Sequence, residues 1–443
     1  MERHKLAVVI SLMILLASFY FVSLQSPVFV YSSKAISSSS SSTAPPAGAL
    51  VVPDDYPTIQ AAVGNASAGD NVFVRNGIYK ERITIDKPLS LIGEDRQKTV
   101  IGGAPILRFG TSFVIKVTAE NVLISGFTIK NDSAGIWVDL ENYQLPPPSQ
   151  CKIIGNNVEH NGVGISIQSG EKQVISGNNI TANSASGISI GVASSNSVIS
   201  ENYITGNGEA GIDVFSKNIT INQNSIIGNG LDVNGVPEFR GGLAVGRNGP
   251  FYVYGNNITD NQGYGIQFAG GSNNSPIYQN NIERNSVGIE LFNFPITGDL
   301  TIGTGNKVYR NNLINNSKQV FVEKAWRYAE NFPNYTWTNG TDIVSWDNGK
   351  EGNYWNDYLS KYPNAIEVDN SGIGNTPYAI DENNADYYPL MQPVNISTES
   401  PLPSTAFSDS ILTIIVIVII VAFVAILFVY RARRKRKQAS TLT

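Results

Sequence analysis

Thiol and imidazole groups are almost missing from this chain. It has one cysteine, Cys151, two histidines, His4 and His160, and three methionines, Met1, Met13 and Met391. A lone cysteine excludes an intrachain disulfide, so packing and hydrogen bonds must hold the fold. His4, Met1 and Met13 fall in an apolar leader, which leaves Cys151, His160 and Met391 to the body of the protein. Copper needs soft or imidazole ligands in a cluster, and this composition does not provide one. Charge is also sparse. Charged residues make up 15% of the 443, and the formal net charge of -5 leaves no basic footprint for nucleic acid.

Glycine is plentiful, at 41 residues, and it recurs in register. Gly-Ile pairs stand at Gly135, Gly164, Gly187, Gly211, Gly265 and Gly288, with Gly242-Leu243 as a variant. Each is paired with an asparagine, at Asn156, Asn178, Asn202, Asn224, Asn256, Asn280 and Asn311. A second asparagine follows at Asn161, Asn183, Asn207, Asn229, Asn261, Asn285 and Asn316. A period of about 22 to 24 residues is the mark of a solenoid. Around these columns, aliphatic residues alternate at period two, as in Ile153, Ile175, Ile199 and Ile221, or Val158, Ile180, Ile204 and Ile226. Each repeat is therefore one coil of short strands paired to the next coil, and the expected fold is an all-β parallel β-helix. Eight or nine such coils would stack to about 40 Å. The asparagines read as structural, tolerating left-handed geometry and bonding along the stack. The glycines read as turn positions with unusual φ.

Both ends carry membrane signals. Residues 1–31 read as a signal peptide or N-terminal anchor, and 32–48 as a Ser/Pro-rich linker. The β-helix is assigned to 49–325, and its open end is expected to be covered by a short helix beginning just after Pro57. Residues 326–392 hold Trp326, Trp337, Trp346 and Trp355 and read as a closing cap. A linker, 393–410, leads to an uncharged run at 411–430, long enough to cross about 30 Å of hydrocarbon. The basic tail, 431–443, then places the bulk of the chain outside the cell. Sequons at Asn65, Asn131, Asn179, Asn218, Asn257, Asn273, Asn315, Asn334, Asn339 and Asn395 are glycosylation candidates.

Chemistry is sought where a column stops repeating. Two residues before the first asparagine, Tyr254, Tyr278 and Tyr309 form an aromatic ladder suited to contact with sugar. Outward positions of the Gly-Ile strand include Trp137, Asp213 and Glu290. The two acids lie three coils apart, about 14 Å. That exceeds the roughly 5 to 9.5 Å of a glycosidase pair. Asp369 and Asn375 bound a loop rich in oxygen ligands, where calcium is the cation to consider. Insertions at 141–150, 231–240 and 293–305 break the period and mark exposed loops.

Val52-Pro-Asp-Asp-Tyr-Pro-Thr-Ile-Gln-Ala-Ala-Val63, with Gly77, Tyr79 and Glu81 after it, resembles the opening of pectin-lyase-like right-handed β-helices. Gly352-Asn-Tyr-Trp-Asn-Asp-Tyr358 and Asn384-Ala-Asp-Tyr-Tyr-Pro-Leu-Met391 resemble the closing segment of NosD-type proteins. The repeats between resemble carbohydrate-binding and sugar-hydrolase repeats. The NosD resemblance implies a copper accessory role, for which the ligands are wanting. The pectinesterase resemblance stops at Gly-x-Tyr-x-Glu, because that family's Gln-Asp-Thr segment has no counterpart here. The expectation is a membrane-tethered surface protein that binds glycan or envelope polysaccharide without catalysis. A polysaccharide lyase or hydrolase, or a purely structural envelope protein, are the alternatives.

Overall fold

A computed structural model describes residues 44–102, 112–140, 146–231, 240–246, 249–292, 303–323 and 342–396. The expected leader 1–31, the membrane run 411–430, the basic tail 431–443, Asn334 and Asn339 lie outside the described residues. The chain divides into units 1–41 and 42–443, and every described residue belongs to the second.

Among the described residues of that unit the strands between Leu50 and Trp355 form three parallel sheets. Sheet I has twelve strands, from Leu50–Val52 to Val344–Ser345. Sheet II has eleven, from Gly77–Tyr79 to Tyr354–Trp355. Sheet III has ten, from Ile83–Ile85 to Lys318–Val322, and contains the Gly-Ile strands. A coil contributes one short strand to each. The stack exceeds the eight or nine repeats legible in the sequence, because the first coils lack the Gly-Ile and Asn marks. The solenoid also continues past 325, through strands 344–345 and 354–355.

The aliphatic columns pair in register. Ile153, Ile175, Ile199, Ile221 and Val253 follow one another in sheet I, and Val158, Ile180, Ile204, Ile226 and Ile258 in sheet II. All are fully buried in one continuous core. Each such side chain withdrawn from water contributes about 2 to 3 kcal/mol.

The asparagines form two amide ladders. In the first, the backbone N–H and side-chain Nδ2 of each residue donate to Oδ1 of the next, from Asn156 through Asn311 to Asn353, at 2.9 to 3.1 Å. The second runs from Asn161 to Asn316 in the same way. These residues do not occupy the left-handed region themselves. That conformation falls on the residue just before each, such as Gly155, Gly177, Glu201, Gln223 and Arg310.

The Gly-Ile glycines also differ from the expectation, since their φ is ordinary. At Gly164 a Cβ would lie 2.4 Å from the Gly187 carbonyl and 3.0 Å from Asn183 Nδ2. Glycine is required there because the ladder amide and the next coil leave no room, not because the turn is unusual.

Each end is closed by a motif that carried the family resemblance. The helix Ile59–Asn65 buries Ile59, Ala62 and Val63 against the first coil, with Thr58 as N-cap. Glu81 accepts from the first backbone N–H groups, Ile59 at 3.1 Å and Gln60 at 3.0 Å. At the far end Asn353 N–H donates to Asp386 Oδ2 at 2.7 Å, so a carboxylate terminates the ladder. Asp386 also accepts from Trp355 Nε1 and Tyr388 N–H. A Cβ on Gly352 would fall 1.8 Å from Asp386 Oδ1. Trp355 stacks on Tyr378 at 4.1 Å. Gly-Asn-Tyr-Trp is thus a closure device, in which Gly makes room for the acid, Asn extends the ladder and Trp seals the core.

Candidate functional site

Outward side chains of sheet III form a column in register: Lys116, Trp137, Ser166, Ser189, Asp213, Ala244, Gln267, Glu290 and Phe321. Asp213 and Glu290 therefore share a line, with Ala244 and Gln267 between them. Trp137 lies three coils to the other side of Asp213, its ring tilted against Phe113 at 5.2 Å. The column is polar yet withdrawn from water. Gln267 is 1% exposed and Glu290 8%, and Gln267 Nε2 donates to Glu290 Oε2 at 2.7 Å. Burial pushes the Asp213 carboxyl above its usual value, opposed by hydrogen bonds from Ser186 and Ser189.

The residue that links this column is Tyr264, which the sequence analysis passed over. It stands in line with Gly241 on one side and Val287 on the other. A Cβ on Gly241 would meet the Tyr264 ring at 2.5 Å, so the ring leans across that glycine toward the coil of Asp213. Tyr264 is 2% exposed, and its hydroxyl has no hydrogen-bond partner in the described structure. Burial raises its phenol well above the usual range, reinforced by the carboxylates of Asp213, Glu290 and Glu209. It therefore stays protonated, as a donor in an acidic, desolvated setting. Buried hydroxyls are nearly always paired, and an orphan calls for a partner. One sequence signal pointed to it: a large ring where the neighbouring coils carry Ala210, Gly241 and Val287.

Tyr254, Tyr278 and Tyr309 lie on sheet I, away from that column. They follow Asn222 in register and stack at 5.2 and 5.3 Å, with interplanar angles of 16° and 8°. Burial raises all three phenols. Both faces of Tyr278 are occupied by its neighbours. The ladder thus does not present three free faces on which sugar rings could lie.

The oxygen-rich loop is built as a turn. Asp369 and Asn370 have left-handed φ, and Asn375 Oδ1 accepts from Ile366 N–H and Thr376 Oγ1. Among the described residues, no three His, Cys, Asp or Glu side chains come together as a metal cluster. Of the sequons, Asn65, Asn131, Asn218, Asn315 and Asn395 are exposed, and Asn179, Asn257 and Asn273 are partly so.

Stacked coils, three parallel sheets and capped ends define a right-handed parallel β-helix protein. A family model for the right-handed β-helix region matches residues 111–282, and the model described as periplasmic copper-binding protein (NosD) matches 234–360. No curated protein sequence matches the chain. Among solved structures it is similar to the A-module of the mannuronan C-5 epimerase AlgE6 from Azotobacter vinelandii. That match has 16% identity and a TM-score of 0.51, covering 67% of this chain and 81% of the other. The AlgE4 A-module from the same organism matches with 15% identity and a TM-score of 0.50, over 65% and 81%. The catalytic unit of the GH87 α-1,3-glucanase from Streptomyces thermodiastaticus has 13% identity and a TM-score of 0.48, over 71% of each chain. At these identities the likeness is one of fold. The copper in the NosD description does not fit the donors present. Cys151 is buried, its thiol pushed up to about 11 and donating to Ala119 O, so it is no thiolate, and His160 is exposed on a turn.

Proposed function

We propose that this protein binds a polysaccharide of the cell envelope or surroundings, through the outer face of sheet III between Asp213 and Glu290. One observation carries the reading: the buried, unpartnered Tyr264 hydroxyl among carboxylates. A saccharide hydroxyl admitted to this face would accept from the phenol while donating to an acid, and so satisfy a group that is buried without a partner in the free protein. Tethering by 411–430, with the β-helix outside the cell, is part of the proposal. It is supported by the uncharged run, the basic tail and the exposed sequons.

A sugar-active enzyme is the second reading, favoured by the raised carboxyl of Asp213 beside a phenol held protonated. A glycosidase pair made of Asp213 and Glu290 is excluded by their separation of three coils, about 14 Å. The test is a glycan array with the full chain, alongside Asp213→Asn, followed by chromatography of the glycans retained. Retention that Asp213→Asn abolishes supports binding at this site. Shortened or unsaturated products would favour the enzyme, and no retention of any glycan would overturn the reading.

A further inference from the structure

Sheet III stops one coil short of its neighbours. Sheets I and II each gain a strand from the closing region, at Val344–Ser345 and Tyr354–Trp355, whereas the last described strand of sheet III is Lys318–Val322. The missing position leaves a cavity of about 560 Å³ between that edge and the cap. It is lined by Lys318 and Gln319 from the last coil, and by Asn356, Asp357, Lys361 and Tyr378 from the cap.

Two lysines face this cleft. Lys318 Nζ sits 4.1 Å from the centre of the Phe321 ring, and Lys361 Nζ sits 4.1 Å from that of Tyr378. Neither ammonium has a carboxylate partner among the described residues, whereas Arg310 nearby pairs with Glu351. Asp357, the one acid of the lining, takes Tyr378 Oη on both carboxylate oxygens, at 3.2 and 3.0 Å. Lys361 keeps one neutral contact, donating to Ala379 O. The amides are already ordered, with Gln319 Nε2 donating to Asn356 Oδ1 at 2.6 Å. Two cations on separate elements, each held over an aromatic face, face one cleft with its acid engaged. A volume of this size suits a short oligosaccharide better than a lone ion.

We propose that the cleft is a second carbohydrate subsite, selective for carboxylated sugars. Lys318 and Lys361 pair with carboxylates on the glycan, and Gln319 and Asn356 meet its hydroxyls. This rests on the glycan-binding reading above and narrows its substrate class to acidic polysaccharide.

The test is calorimetric titration of the full chain with trigalacturonate, cellotriose and inorganic phosphate. The variants are Lys318→Gln, Lys361→Gln, Lys318→Arg and Asp213→Asn. Trigalacturonate should bind and cellotriose should not, and each lysine-to-glutamine change should weaken binding about tenfold. Lys318→Arg should restore most of it. Binding should fall as salt is raised from about 0.05 to 0.5 M. Unchanged melting temperatures would exclude misfolding as the cause. Trigalacturonate binding within about twofold of wild type in both Lys318→Gln and Lys361→Gln would overturn the subsite. Phosphate binding as tightly as trigalacturonate would reduce it to a bare anion site, and overturn it as well. Loss of binding in Asp213→Asn alone would place the glycan on sheet III and leave the cleft without a role. Loss in the lysine variants alone would keep the cleft and remove the sheet III reading.

Discussion

Tyr264→Phe separates a site awaiting a ligand from a merely packed ring. The substitution deletes one oxygen and leaves the ring lying across Gly241, where the structure gives it room. In most proteins removal of a buried tyrosine hydroxyl costs about 1 kcal/mol, because a hydrogen bond is lost. Here the hydroxyl is 2% accessible as part of Tyr264 and has no partner to lose. Leaving such a group buried and unpaired costs about 1 to 3 kcal/mol, so its deletion should stabilise the free protein by about 1 kcal/mol. Burial on the native side is unchanged, so the urea midpoint should rise with no change of slope. Binding should move the other way. If a glycan oxygen accepts from this phenol, Tyr264→Phe should weaken retention about tenfold, equivalent to about 1.4 kcal/mol. Urea unfolding by far-UV circular dichroism and titration with the retained glycan read the two signs independently. Destabilisation by about 1 kcal/mol or more would mean that the hydroxyl has a partner, and the argument would fail. Stabilisation without any loss of binding would leave the orphan real but remove its ligand.

Other expectations concern the scaffold. Asn224→Ala removes the oxygen that accepts from Asn202 N–H and Nδ2, and the amide that serves Ile199 O, Asn222 O and Asn256 Oδ1. Several buried groups lose a partner at once, so a loss of about 3 kcal/mol is expected in urea unfolding, against less than about 0.5 for Asn157→Ala. Glu81→Gln, which weakens the acceptor at the helix N-terminus, should lower stability by about 1 kcal/mol and raise hydrogen exchange at Ile59 and Gln60. Asp386 is one pH-sensitive group: burial holds its carboxyl up at about 7, against the pull of bonds from Asn353, Trp355 and Tyr388. A carboxyl raised on folding favours the protonated folded state, so its contribution is full below about 4 and is lost as pH rises through about 7. The fall is about 4 kcal/mol at about 1.4 per pH unit, and the urea midpoints of Asp386→Asn should show a correspondingly flatter dependence between those limits.

The coils were legible because their inward residues repeat, and repetition is what a stack of parallel strands enforces. Ile153 and Ile175 must be alike since each covers the other. The reasons behind two columns were less visible. Gly164 looks the same in sequence whether it serves a turn or a close approach, and only the position of Asn183 Nδ2 decides between them. The tyrosine ladder could be read as three rings in line, but which faces stay open depends on ring tilt, which the column does not encode. Tyr264 escaped because its column is mixed in size and type, from Phe113 and Val163 to Gly241, Val287 and Lys318. The informative unit was the pair Gly241 and Tyr264, one coil apart. A period scan averages over such pairs, and so hides a place where a large side chain on one coil needs a glycine on the next.

That dependence also explains why family resemblance here says much about ends and little about chemistry. A solenoid must terminate its ladders and cover its core wherever it stops, and few residue sets can do so. Glu81 on the helix N–H groups, and Gly352, Asn353 and Trp355 around Asp386, are such sets. They answer that problem at each end, whatever the middle of the stack carries. The outward face of sheet III is under no such constraint, since a coil folds with serine, alanine or aspartate at the same position. A carboxyl raised above its usual value and an orphan phenol are costly to hold in a scaffold that accepts Ser189 or Ala244 in the column of Asp213, and Gly241 or Val287 in that of Tyr264. Their presence two coils apart, with Gly241 making room on the coil between, therefore bears more directly on the proposed binding than any motif shared with another β-helix.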